Sequence, residues 1–311
     1  MPQARPILKW AGGKGQLLDR LQPLFPPHFN RYIEPFAGAG AVFFRLYNLG
    51  LIGANPHLRK APALLNDFNA ELMNVYRVVR NHLDELSAEL ERHQVHIGDI
   101  DYYYFIRDLD READFAQWPA PVRAARTIFL NKTGYNGLYR VNRSGYFNVP
   151  FGRHKNPRVL DRSALKAAQQ ALQCVELMTS DFAQPLRQAR RGDFVYIDPP
   201  YQPLSRTANF TAYTARGFGW KEQERLAKWV GRLAARGCYV LINNTDVPEV
   251  RELYQTALAH SDTPIYTQSF ETARFINRQS DARGGGLELT VWNYDIVWLA
   301  STALAQESLA I

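Results

Sequence analysis

Cysteine is scarce in this chain. Cys174 and Cys238 are the only two among 311 residues, too few for a disulfide framework and without the spacing of a metal site. Long apolar runs are missing too, since none approaches the ~18 residues of a membrane span. Residues 1–9 lack the apolar core of a signal peptide, so a cytoplasmic protein with no membrane and no metal partner is expected. No internal repeat or low-complexity tract is present. Two nucleotide fingerprints fail as well. A P-loop ending at Lys14 would need glycine where Leu8 stands and Ser or Thr where Gly15 stands. A dinucleotide loop built on Gly38 and Gly40 would need glycine or alanine at Phe43. A ligand gripped by its pyrophosphate is therefore disfavoured.

The most telling shortage is of acid in one window. Residues 122–160 hold eight Lys/Arg and no Asp or Glu, interleaved with Phe129, Tyr135, Tyr139, Tyr146, Phe147 and Phe151. Charge runs are commonly solvated faces. A basic, aromatic window punctuated by the turn pairs Asn136-Gly137 and Ser144-Gly145 also suits phosphates and base edges, and its second turn suits a β-hairpin. The net charge of +7 permits a nucleic-acid partner without requiring one.

What is present centres on Phe194-Val195-Tyr196-Ile197 followed by Asp198-Pro199-Pro200-Tyr201. Four apolar, β-branched or aromatic residues predict a buried strand. The prolines end it and stiffen the turn, placing a carboxylate and an aromatic ring at a strand's carboxyl end. Asp198 and the Pro199 carbonyl can each accept an N–H, and Tyr201 offers a stacking face. That set suits an exocyclic amine of a planar base, whose lone pair is delocalised until the nitrogen is drawn towards tetrahedral geometry.

Upstream, Tyr32-Ile33-Glu34-Pro35-Phe36-Ala37-Gly38-Ala39-Gly40 predicts a strand, a glycine turn and the start of a helix over 42–49, the first βα unit of a Rossmann-like half. F-x-G-x-G without the third glycine suits an adenosine-bearing cofactor that lacks phosphate, S-adenosylmethionine. Leu64-Leu65-Asn66-Asp67 supplies the carboxylate expected at the end of the second strand, with capping of the following helix as a second role. Lys9-Trp10-Ala11-Gly12-Gly13-Lys14 reads either as a clamp for an anionic, aromatic ligand or as a glycine turn before a helix over 16–24.

The expected architecture is an α/β, doubly wound sheet. Helical periodicity runs over 69–94, and further helices are expected at 122–132, 163–172 and 221–236. Further strands are expected at 175–179, 239–243, 264–267 and 287–293. The sheet-forming segments, 1–68 and 161–298, frame an inserted helical and hairpin segment, 69–160, with a tail over 299–311. Residues 203–219, rich in Ser, Thr, Asn and Gly, predict a lid.

In their order, these motifs resemble the Dam-type DNA adenine N6-methyltransferases. The match includes Gly134-Tyr135-Asn136-Gly137-Leu138-Tyr139-Arg140, Phe147-Asn148-Val149-Pro150-Phe151-Gly152-Arg153 and Thr207-Ala208-Asn209-Phe210-Thr211-Ala212-Tyr213. The resemblance implies a Rossmann-like methyltransferase with a target-recognition insert, acting on double-stranded DNA as a monomer. It implies a cofactor pocket of Trp10, Ala11, Gly12, Gly13, Lys14, Pro35, Phe36, Ala37, Gly38, Ala39, Gly40, Asp67, Phe68, Asp181 and Asp198. Catalysis would rest on Asp198, Pro199, Pro200 and Tyr201. DNA contact would involve Lys9, Arg126, Lys132, Tyr135, Asn136, Leu138, Arg140, Asn148, Pro150, Arg153, His154 and Lys155. Tyr135 would fill the space beside an extruded adenine, Leu138, Arg140 and Pro150 would read base edges, and the implied target is G-A-T-C. The chain departs from the family in a longer 50–62 loop, a less basic 274–286 and a histidine at 154 in place of an aromatic. Two other classes stay open, an RNA or protein N-methyltransferase and a DNA-binding relative that has lost catalysis.

Overall fold

The computed structural model describes residues 2–10, 12–53, 61–201, 218–259, 263–272, 286–297 and 299. Ala11, most of the 203–219 lid, the tip of the 50–62 loop, nearly all of 274–286 and the tail from 300 lie outside the described residues.

Seven strands form one sheet: β1 (Tyr32–Glu34), β2 (Ala63–Asn66), β3 (Val175–Met178), β4 (Phe194–Ile197), β5 (Tyr239–Thr245), β6 (Tyr266–Thr272) and β7 (Gly286–Trp292). Their order is β3-β2-β1-β4-β5-β7-β6. The first five in that order run parallel, and β7 is antiparallel to both its neighbours. Strand order reverses between β1 and β4, the place where doubly wound sheets open a ligand crevice.

Period-two alternation assigns the strand residues to two cores. Tyr32, Leu65, Phe194, Tyr196, Leu241 and Trp292 face one. Ile33, Leu64, Val195, Ile197, Val240, Ile242, Leu289 and Val291 face the other. Both faces are covered, which is why the central strands read as unbroken apolar runs. The first core packs against α2 (Ala41–Asn48), α3 (Ala70–Asn81), α4 (Leu83–Gln94), α5 (Ile100–Asp108), α6 (Ala120–Thr133) and α7 (Arg162–Leu172). The second is roofed by α8 (Ala183–Gln188), α9 (Trp220–Ala235) and α10 (Pro248–Ala259). Tyr103, Phe129 and Val149 of the 69–160 segment share one apolar cluster with Tyr32, Phe43 and Leu65.

Local chemistry moves some expected boundaries. The 16–24 helix survives only as α1 (Leu18–Leu21) between two 3-10 turns, and Pro23 supplies no N–H to lengthen it. The 69–94 helix breaks at His82 (φ −136°) into α3 and α4. The expected hairpin around Ser144-Gly145 is reduced to the bridges Val141 to Phe147 and Gly134 to Phe151. Side chains replace its ladder. The Asp110 carboxylate accepts the Phe147 N–H (2.7 Å), and Asn142 Oδ1 accepts from Ser144 and Tyr146.

Candidate active site and nucleic-acid interface

β4 delivers Asp198-Pro199-Pro200-Tyr201 to the carboxyl edge of the sheet, and the turn is braced from behind. Gln223 on α9 donates to the Pro200 carbonyl (3.3 Å) and accepts from Asn244 (3.1 Å) and the Tyr254 hydroxyl (3.0 Å). In front stands Lys14, 4% exposed. Its ammonium reaches Asp198 Oδ2 at 2.6 Å, Glu288 Oε1 at 3.1 Å and the Gly12 carbonyl at 2.8 Å. Those three acceptors match its three N–H donors. Glu288 also accepts the Tyr201 hydroxyl, and Lys14 lies 4.8 Å from the centroid of the Tyr201 ring.

The electrostatics follow from two acids sharing one base in a largely buried pocket. Burial raises the Asp198 pKa to about 6; Lys14 opposes the shift and Glu288 adds to it. Burial alone would lower the Lys14 pKa, but Asp198 and Glu288 outweigh it and hold the ammonium above its ordinary value. Behind them Glu34 accepts the Tyr32 hydroxyl (2.9 Å), and burial pushes its carboxyl well above the usual range. The buried Tyr196 hydroxyl faces this cluster with no partner among the described residues.

A glycine cradle adjoins the turn. Gly38 (φ 47°) and Gly40 (φ 67°) adopt the left-handed conformation that favours glycine. A Cβ at Gly38 would come within 3.0 Å of the Trp10 ring. Asp67 holds the loop, accepting the Gly38 N–H (3.0 Å) and the Asn69 N–H (2.9 Å). Burial raises its pKa against those backbone donors. The capping role expected of Asp67 belongs to Asn69, whose Oδ1 accepts the Leu72 N–H. Pro35, Ala37 and Ala39 line the same turn. Phe36 packs against Phe182 (5.3 Å) and Phe218 (5.5 Å), and Phe68, next to Asp67 in sequence, is 46% exposed. Asp181 lies three residues past the end of β3, where its carboxylate meets Arg225 (2.5 Å) and accepts the Ala183 N–H (3.0 Å). Bare backbone, an acid and aromatic faces suit a nucleoside-bearing cofactor, and a pocket richer in acid than base suits a cationic one.

Residues 10–268 match the D12 class N6 adenine-specific DNA methyltransferases. The chain belongs to that family. It is 37% identical over 294 residues to the Type II methyltransferase M1.LlaDCHI of Lactococcus lactis subsp. cremoris, covering 93% of this chain and 95% of that one. It is 36% identical to the Type II methyltransferase M.MjaIII of Methanocaldococcus jannaschii, over 94% and 100% of the two chains. It is also 36% identical to the DNA adenine methylase of Escherichia coli K12, over 84% and 87%. It is thus an adenine-specific DNA methyltransferase, and DNA is its substrate. Among the described residues no helix is long and apolar enough to cross a membrane, and no acid, His or Cys cluster could hold a metal.

In this D12-class chain the basic window divides in two. Arg126 was expected at DNA, but it is 4% exposed, pairs with Asp110 (3.0 Å) and donates to the carbonyls of Ile106 and Arg107. It fastens α6 to α5. Arg123 pairs with Glu71, and Arg158 with Asp161. The acids that neutralise these three, Asp110, Glu71 and Asp161, lie outside 122–160. Lys132, Arg140, Arg143, Arg153 and Lys155 have no ion-pair partner among the described residues, and all but the half-buried Lys132 are exposed. Burial and the nearby charges of Lys9 and Arg5 lower the Lys132 pKa, so an anion there would relieve repulsion.

Tyr135 (41% exposed), Asn136 (φ 55°) and Gly137 (φ 64°) form a protruding turn. Pro150 is exposed beside it and accepts the Tyr135 N–H at 2.8 Å. Leu138 packs partly into the core. Arg140 folds onto Asn148, donating to its side chain (2.7 Å) and carbonyl (3.0 Å). His154, expected to touch DNA, turns inward, with Nε2 3.0 Å from the Gly134 carbonyl.

The turn is tied to the Lys9 segment by a residue that motif reading missed. Buried Asn131 on α6 accepts the Lys9 N–H (2.9 Å) and donates to the carbonyls of Lys9 (2.8 Å) and Gly137 (2.8 Å). Next to it Trp10 stacks on Tyr139 at 5.2 Å. Asn131→Ala strands three polar groups and should cost about 2–4 kcal/mol of stability. A depressed thermal midpoint together with weakened DNA binding is the expected result, and an unchanged midpoint would refute this role.

Proposed function

We propose that this enzyme transfers the methyl group of S-adenosylmethionine to N6 of an adenine rotated out of double-stranded DNA, within G-A-T-C. The observation that carries the reading is the stiff Asp198-Pro199-Pro200-Tyr201 turn, locked by Lys14 and Glu288 beside a glycine cradle with Phe43 where a pyrophosphate site has its third glycine. The D12 family and relatives named DNA adenine methylase support the target base. The hairpin residues Tyr135, Leu138, Arg140 and Pro150 support the four-base site.

Trp10, Lys14, Phe36, Gly38, Asp67 and Asp198 would hold the cofactor. When bound, it presents a methyl on a positive sulfur, and the sulfur–carbon bond breaks as the bond to N6 forms. Asp198 and the Pro199 carbonyl accept hydrogen bonds from the two N6 hydrogens, which orients the lone pair, Tyr201 stacks on the ring, and the one proton that N6 sheds as its bond to carbon forms leaves by way of Asp198. Rotating the base out costs a few kcal/mol, which Tyr135 offsets by filling the vacated stack. Arg140 leaves Asn148 to meet a base edge, and Lys9 joins it. Residues 1–68 and 161–298 carry catalysis, 69–160 carries recognition, and the enzyme acts as a monomer.

Purified protein, S-adenosylmethionine and unmethylated plasmid, followed by base-resolution mapping of N6-methyladenine, tests this. Modification confined to G-A-T-C is expected. Another adenine site would remove the specificity assigned to Leu138, Arg140 and Pro150. No modification would remove the methyl-transfer reading.

A further inference from the structure

We infer that Glu288 is a positioning residue for methyl transfer, acting through Tyr201 and Lys14 rather than on the adenine. The inference rests on the methyl-transfer reading. Glu288 lies some ninety residues beyond the Asp198-to-Tyr201 motif, and topology brings it back. β7 runs antiparallel to β5, so its first residues reach the edge where the parallel strands end, with Glu288 paired to Thr245 at the last position of β5. There the strand inverts its expected burial. Leu287 is 49% exposed while Glu288 is 7% exposed. An apolar side chain faces out and an acid faces in, an arrangement that strand stability alone disfavours.

The buried carboxylate fixes two side chains. It accepts the Tyr201 hydroxyl, and it takes one N–H of Lys14 at 3.1 Å. Lys14 in turn lies against the Tyr201 ring and holds Asp198 at 2.6 Å. Tyr201 is thus pinned at its hydroxyl by Glu288 and against its face by Lys14, so the stacking plane is set before a base arrives. Without Glu288 one donor of a buried ammonium and one phenol hydroxyl lose their acceptor. Lys14 is then free to swing wholly onto Asp198 and compete for the oxygen that N6 needs.

Ionised Asp198 is the stronger acceptor for N6 and carries no competing O–H donor, so turnover should fall as pH drops through its pKa, which burial raises to about 6. The groups facing Asp198 are Lys14 from the N-terminal segment, Tyr32 and Glu34 from β1, Tyr196 from β4, Tyr201 from the turn and Glu288 from β7. Removing the Glu288 charge takes away a neighbour that disfavours ionisation, so the acid limb should move to lower pH.

The test compares wild type, Glu288→Gln and Glu288→Ala on a duplex with one target site, measuring kcat, KM for DNA and the kcat–pH profile. Glu288→Ala should lower kcat about 100-fold with KM for DNA within about threefold, because the DNA-facing residues are untouched. Glu288→Gln keeps an acceptor oxygen, so it should recover about tenfold of that loss and shift the acid limb downwards. Glu288→Ala turning over within twofold of wild type would overturn the inference. So would a Gln variant as impaired as Ala with its acid limb unmoved, which marks a merely structural residue. If Glu288→Ala fails to fold by thermal melting, the near-isosteric Gln variant decides by the same criteria. A wild type that methylates no adenine sinks the underlying reading, and the role of Glu288 with it.

Discussion

Asp198→Ala is expected to lower turnover at least ~10³-fold while duplex binding changes by no more than about threefold. The carboxylate lies at the carboxyl edge, whereas the Tyr135 turn and the basic residues without an ion-pair partner among the described residues lie on the 69–160 segment, so the two properties should separate. Turnover comes from single-turnover methyl incorporation and binding from a DNA titration without cofactor. Asp198→Asn, which keeps an acceptor oxygen and loses the charge, should retain more activity than Ala and lose the pH dependence. In the wild type the acid limb should fall near pH 6, because burial raises the Asp198 pKa to about that value. An Asp198→Ala enzyme within tenfold of wild type would show that N6 is held by some other group.

Lys14→Met should be the most destabilising single change in the site, by about 3–5 kcal/mol at neutral pH. The ammonium is 4% exposed and sits between two acids at 2.6 and 3.1 Å. Without it Asp198 and Glu288 face each other with nothing between them but poorly hydrated space. The pH dependence has a definite sign. A carboxyl whose folded pKa is raised contributes stability that is present at low pH and is lost as pH rises through the folded value. Lys14 holds the Asp198 pKa down, so its removal should push that pKa above about 6 and widen the window of loss. The gap in melting temperature between variant and wild type should therefore be large at pH 8 and narrow markedly at pH 5. A gap independent of pH would show that packing, and not charge, is what Lys14 supplies. Activity should also disappear at neutral pH, because more of Asp198 is then protonated.

Much of this architecture was legible in the sequence because local signals and tertiary demands coincide. Phe194–Ile197 is apolar on both sides, as a central parallel strand must be, and the prolines after it stop the ladder where the crevice opens. Gly38 and Gly40 were legible because only glycine adopts that turn at low cost. The basic window was half legible. Counting charge in one stretch overlooks acids contributed from elsewhere, and Glu71, Asp110 and Asp161 neutralise Arg123, Arg126 and Arg158 from outside it. Glu288 was present as a lone acid between Leu287 and Leu289, an alternation that predicts it exposed, so its burial left no mark in the sequence. Its partners could not be named without knowing that β7 runs backwards. Asn131 left no trace either, since an asparagine near a helix end is ordinary until its three backbone partners are seen.

The position of β7 in the sheet has a consequence for synthesis. Among the described residues β6 pairs only with β7, and β7 is the strand that joins it to β5. A growing chain can therefore align its five parallel strands and carry the whole Asp198-Pro199-Pro200-Tyr201 turn while β6 still has no edge to join. Only when the ribosome has released the stretch around Gly286–Trp292 does the last hairpin close. With it Glu288 reaches Lys14 and Tyr201. A polypeptide cut off before that stretch would display the motif yet lack the acid that aligns it, so the finished geometry reports that translation has run through the final strand.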